Sequence, residues 1–180
     1  MAFTLAIGDK APDFALLGVD NIRYSLASFA GDKVLVVAFT CNHCPYVIGT
    51  EERIIDFCDE YGPRGMSFIA INSNEAENHP TDDFEHMEAR ADERGFNFPY
   101  VRDETQEVAK AYGALRTPHF FVFDEDRKLR YTGRMDDSPK EEMKATTHEL
   151  ADAVEALLED EEVPVKKTNP IGCNVKWKGK

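Results

Sequence analysis

Apolar residues recur along this 180-residue chain in three rhythms. Two runs, DKVLVVAFT (32–40) and MSFIAINS (66–73), are almost wholly apolar, which predicts strands buried on both faces. Over 43–61, Val47, Ile48, Ile54, Ile55, Phe57, Cys58 and Tyr61 supply one helical face, and Gly62-Pro63 ends it. A polar helix is expected over 81–95, opened by Thr81 with acids in its first turn. A short strand at 98–103, a helix at 106–114, a strand at 119–126 with a hairpin partner at 128–134, and an amphipathic helix at 146–160 follow. Strands alternating with helices imply a central sheet covered on both faces. The third rhythm is the tail NPIGCNVKWKGK, where Ile171, Cys173, Val175 and Trp177 alternate with Gly172, Asn174, Lys176 and Lys178. Period two predicts an extended segment docked by one face, with Cys173 pointing inward beside Trp177. With no repeat or linker in between, 1–180 reads as a single domain and 162–180 as its docked tail.

Composition narrows the setting. Apolar residues at 42% and charged residues at 31% describe a soluble globule, and VLVVAF is far too short to span a bilayer. The amino terminus has neither a basic segment nor a long apolar one, so a cytoplasmic address is expected, without a membrane partner. A net charge of −13 argues against nucleic acid and anionic surfaces as partners.

Chemistry concentrates in TCNHCPYV (40–47). Four cysteines, Cys41, Cys44, Cys58 and Cys173, are too few for a disulfide scaffold, and a close pair in a reducing compartment points to catalysis or metal binding. A structural zinc needs four ligands, usually with a second close pair, and none follows. A thiolate reacts where a thiol does not, and a strand-to-helix junction favours the anion through free N–H groups and the helix dipole. Cys41 stands at that junction, and Cys44, one turn on, is placed to close a disulfide with it. Pro45 suits a first helical turn. His43, when protonated, would favour the thiolate. No cofactor is expected beyond the Cys41–Cys44 disulfide, and no metal.

The chain resembles the thioredoxin superfamily in its redoxin, peroxiredoxin-like branch. GDKAPDFALLGVD, CNHCPYV, INSNEAENHPTD, TPHFFVFD, YTGRMDDSP and the IGCNVKW tail carry that resemblance across essentially the whole chain. It implies an α/β thioredoxin fold, a central mixed sheet flanked by helices, with an amino-terminal extension and a βα insertion. It also implies a cis Thr117-Pro118 bond facing the cysteines, with the Thr117 backbone free to pair with an extended substrate. The implied activity is thiol-disulfide oxidoreduction on protein or small-molecule disulfides or thiols, with Cys41 attacking and Cys44 resolving. A thiol peroxidase and a non-enzymatic copper-delivery protein are the alternatives. Relatives carry a buried carboxylate six residues before the first cysteine, where this chain has Leu35; Glu75, Glu51 or a water would have to replace it.

Other candidates read less sharply. Cys58 lies on an apolar stripe and fills the core. Cys173 either packs or meets Cys41 or Cys44 as a third redox partner. Arg134, near Asp136 and Asp137, is either a turn residue pairing locally or a support for the thiolate. His119 lies near the site or merely starts a strand, and His79, His86 and His148 are surface residues.

Overall fold

In the computed structural model, which describes residues 3–179, the two apolar runs become the parallel centre of a sheet. The strands are β1 (Leu16–Leu17), β2 (Arg23–Tyr24), β3 (Val34–Thr40), β4 (Met66–Asn72), β5 (Tyr100–Arg102), β6 (Arg116–Thr117), β7 (His119–Phe123), β8 (Leu129–Gly133) and β9 (Cys173–Asn174). The helices are α1 (Pro45–Ile48), α2 (Glu51–Tyr61), α3 (Phe84–Arg94), α4 (Glu107–Tyr112) and α5 (Glu149–Leu158). Five strands form the central sheet in the order β5-β4-β3-β7-β8. β3 runs parallel to β4, and β4 to β5, while β7 is antiparallel to both β3 and β8. This is the mixed α/β architecture that the resemblance implies.

Alternation along β3 divides the core. Val34, Val36 and Ala38 meet Ile54, Phe57 and Tyr61 of α2, Met87 of α3 and Leu150 and Val154 of α5. Leu35, Val37 and Phe39 meet Val108 and Tyr112 of α4, together with Leu5, Phe14 and Phe29 from the amino-terminal extension. All of β3 is buried, and each large aliphatic side chain so placed contributes roughly 1.5–3 kcal/mol.

Four elements depart from the expected pattern. The helix expected to open at Thr81 begins at Phe84, capped by the Asp83 carboxylate, which accepts the His86 N–H at 2.9 Å, while Pro80–Asp82 form a separate 3-10 turn. The helix expected over 43–61 is split into α1 and α2 at Gly49-Thr50. Thr50 turns its hydroxyl back to the carbonyls of Tyr46 and Val47, and Arg53 takes the carbonyl of Gly49. A Cβ on Gly49 would come within 2.4 Å of the Pro139 carbonyl oxygen, so the break sits where only glycine fits. The strand expected over 119–126 stops at Phe123, because the Asp124 carboxylate accepts the N–H groups of Asp126 and Lys128 and folds a turn. The β1–β2 hairpin carried no readable pattern.

The chain's ends cover the sheet's outer strands. Gly18 bridges to Val101 and the Val19 N–H reaches the Tyr100 carbonyl at 2.9 Å, so the extension lies along β5. Lys167 bridges to Thr132 and the Thr168 N–H reaches the Thr132 carbonyl at 3.0 Å, so the tail lies along β8. The tail then crosses to β6, with Thr117 opposite Cys173 and Arg116 opposite Asn174 in an antiparallel pair.

Candidate functional site

Cys41 leaves the end of β3, Asn42 and His43 form a bend, and Cys44 is the residue before α1, with Pro45 in the first helical position. Both thiols are 5% exposed, and with Val47 they form a small cluster of their own against Tyr46 and Cys173. The Thr117-Pro118 bond is cis, and the loop that holds it lies directly over the sulfurs. Cys41 Sγ lies 3.5 Å from the Thr117 hydroxyl, and Cys44 Sγ lies 3.3 Å from the Thr117 carbonyl oxygen. Cys44 Sγ is also 2.7 Å from Cys173 Sγ. Three thiols therefore converge, with Cys44 between the other two.

The charge does not sit where the sequence placed it. The neighbouring Cys44 sulfur, then burial, then the negative charge of Asp82 push the Cys41 thiol far above its ordinary range. Cys44 is pulled down to about 4, chiefly by the Cys41 thiol, and against its own burial; the Cys173 side chain and the backbone at Cys173 and Val47 add to the effect. Cys173 is raised to about 11 by burial and by the adjacent Cys44 sulfur. A one-turn α1 brings little dipole to either sulfur, so the anion is stabilised by adjacent donors instead, and Cys44 has more of them. The Cys41 and Cys173 thiols beside it thus favour the anion at Cys44.

Asp82 was not singled out in the sequence, where it reads only as a first-turn acid of the 81–95 helix. It is 3% exposed and its carboxylate accepts from the Asn42 N–H at 2.7 Å and from the amides of Asn72 and Asn74, both at 3.1 Å. Tyr100 closes the network by donating to the Asn42 side chain at 2.7 Å. This is the buried carboxylate next to Cys41 that Leu35 cannot supply. Asp82→Asn places an amide among three donors, and the expected cost is roughly 1–3 kcal/mol in urea unfolding. The same variant should lower the alkylation pKa of Cys41, read in a Cys44→Ser background, because a negative neighbour has been removed. An unchanged Cys41 titration would show that Asp82 does not act on it.

The remaining candidates are held elsewhere. His43 is exposed and its Nε2 bonds the Thr81 hydroxyl. The Glu75 carboxylate accepts the N–H groups of Glu77 and Asn78, both at 2.9 Å, and pairs with His79, so it shapes its own loop. Glu51, near Cys41, is engaged by Arg90 and Arg94. Arg134 is turned to Glu149 of α5, with contacts at 2.7 and 3.1 Å, neither to the sulfurs nor to its neighbours Asp136 and Asp137, which are held by Arg53 and by Thr146 and Thr147. His119 is buried and held between the Leu115 N–H and the Thr132 hydroxyl, and burial lowers it to about 3, so it is a neutral strand-starting residue. Cys58 packs on the α2 side of the core, where burial pushes it up to about 12. His86 and His148 are exposed, while His79 is half-buried against Glu75. Cys173 faces the other two sulfurs, whereas Trp177 packs with the Leu5–Tyr112 side of the core; the two are not side by side as the alternation implied. The Thr117 backbone, expected to be free, is already paired with the tail. Among the described residues no group of three or more His, Cys, Asp or Glu side chains is arranged to hold a metal, and no helix is long and apolar enough to cross a membrane.

Comparison with known proteins gives the family. A family model described as Redoxin matches residues 6–150. A conserved protein from Geobacillus kaustophilus, known by its crystal structure, is 44% identical with a TM-score of 0.93, covering 99% of this chain and 96% of that one. The Mycobacterium tuberculosis protein MT2597, provisionally named a peroxiredoxin, is 29% identical over 69% of this chain and 82% of its own length. The thiol-disulfide oxidoreductase ResA of Geobacillus thermodenitrificans is 28% identical over 73% of this chain and 72% of its own. A thiol:disulfide interchange protein of the thioredoxin family from Chlorobium tepidum, at 22% identity, a TM-score of 0.60 and coverage of 72% of this chain and 87% of its own, shares the fold alone.

Proposed function

The chain belongs to the Redoxin family, and on that premise we propose that it is a thiol-disulfide oxidoreductase whose working centre is the Cys41–Cys44 pair. The observation that carries this reading is the convergence of the two sulfurs with the cis Thr117-Pro118 loop. Cys44 attacks the substrate disulfide, forms a mixed disulfide and releases one substrate thiolate. Cys41 then displaces the second substrate thiolate and closes Cys41–Cys44. These roles reverse those expected from position alone. The substrates are protein or small-molecule disulfides, which reach the Thr117 backbone beside the sulfurs only where the tail gives way. The similarity to MT2597 supports peroxide as a second electrophile for the same thiolate, and stopped-flow mixing with hydrogen peroxide measures that directly.

The test is trapping. In a Cys41→Ser, Cys173→Ser double variant, incubation with oxidised glutathione should leave one glutathione adduct on Cys44, mapped by peptide mass spectrometry. An adduct confined to Cys41 in a Cys44→Ser, Cys173→Ser chain, with none on Cys44 in the first, would restore the opposite order. No adduct on either would end the redox reading.

A further inference from the structure

The tail occupies the position in which a substrate peptide is expected. β9 lies antiparallel on β6, putting Cys173 opposite Thr117, and the Cys173 sulfur touches Cys44. Gly172 is pressed against the Thr117-Pro118 peptide so closely that a Cβ would lie 2.0 Å from the Thr117 carbonyl oxygen. Further along, the Lys176 carbonyl accepts from the Glu75 N–H and from the Gln106 side chain, both at 2.8 Å, and the Lys176 N–H donates to Asn74 at 2.9 Å. The docking is thus specific over several residues and not a chance contact of one thiol. Both Cys41 and Cys44 are nearly sealed beneath it.

We propose that the tail is a tethered substrate of the redox centre, and that Cys173 is a third redox residue which exchanges with the pair to give a Cys44–Cys173 disulfide. This rests on the redox reading of Cys41 and Cys44. The step is an exchange with no net oxidation. The Cys173 thiol loses its proton and its sulfur bonds to Cys44; the Cys41–Cys44 bond breaks; the electron pair leaves on Cys41, which takes up a proton. In the dithiol state the anion at Cys44 repels a second anion at Cys173. Once Cys44 is in a disulfide that repulsion is gone, and strand pairing holds Cys173 against it as an intramolecular reactant. The same exchange resolves a mixed disulfide on Cys44, ejecting the substrate thiolate. The product has its tail covalently fastened over the Thr117 edge, closing that edge to further peptide until a reductant opens it.

The experiment uses full-length Cys41→Ser protein and oxidised glutathione, with disulfides mapped by non-reducing peptide mass spectrometry. The expected result is a Cys44–Cys173 cross-link in most molecules, with glutathione released. Adding Gly172→Ala should slow cross-linking at least tenfold while Cys44 still takes up iodoacetamide at least as fast, since neither sulfur has been altered. Persistent glutathione on Cys44 with an alkylatable Cys173 overturns the proposal, as does cross-linking unaffected by Gly172→Ala. If the glycine variant does not fold, the Cys41→Ser map alone decides. A Cys173→Ser chain separates the two claims. If it forms Cys41–Cys44 while Cys41→Ser fails to cross-link, only the tail proposal falls; if it forms no disulfide at all, the redox reading falls.

Discussion

Arg53→Met should lower the unfolding free energy by roughly 3–5 kcal/mol, the usual loss when one member of a buried ion pair is removed. Arg53 and Asp136 are 7% and 2% exposed, and their side chains meet at 2.6 Å. The same guanidinium donates to the carbonyls of Gly49 at 2.8 Å, Ser138 at 3.1 Å and Pro139 at 2.5 Å. Substitution therefore strands a buried carboxylate and three acceptors together. In a chain of this length the shift in melting temperature should be on the order of 10 °C. Calorimetry checks it, and a loss below about 1 kcal/mol would show that water replaces the guanidinium freely. Arg53→Met with Asp136→Leu should recover most of the loss, because the stranded charge is gone. Activity should fall in the single variant even in the folded fraction, since this residue clamps the Gly49-Thr50 break that aims α1 and the sulfur preceding it.

Cys44→Ser should reduce disulfide turnover by roughly a thousandfold or more, as for loss of a nucleophile that acts as part of a unit. Its pH signature discriminates it from a structural effect. In wild type, alkylation at Cys44 should stay near its plateau through the neutral and mildly acidic range and fall only as pH approaches about 4. A folded-state pKa held below that of the unfolded thiol contributes stability present above the unfolded value, roughly 8.5, and lost as pH falls toward 4. An alkylation midpoint near 8.5 at Cys44 would remove the anion from the mechanism.

The central strands were legible because burial on both faces leaves no polar position to misread. So were the cysteine pair and Pro118, whose significance depends on order along the chain and not on fine geometry. The site's electrostatics were not legible, for a local reason: the apolar stripe over 43–61 runs straight through Gly49-Thr50, while the break depends on Pro139 and Arg53 contacts from elsewhere. Once that helix shrinks to one turn, the argument from its dipole loses force. Asp82 was hidden because an acid beside a helix start already has a local explanation, while its true partners, Asn42, Asn72 and Asn74, lie in other segments. The alternation in the tail revealed that it docks, but pairing of two residues on β6 leaves no periodic mark that could say where.

The arrangement of the two termini along β5 and β8 has a bearing on self-association. An open sheet offers rows of unpaired amides to any other chain, and an uncovered edge strand is a starting point for aggregation. Here each flank is occupied by the molecule's own ends, so the polypeptide supplies its own blockers against edge-to-edge growth. Trimming the tail to liberate the sulfurs would uncover β8 in the same stroke, coupling access to the redox centre with a risk of fibrous assembly.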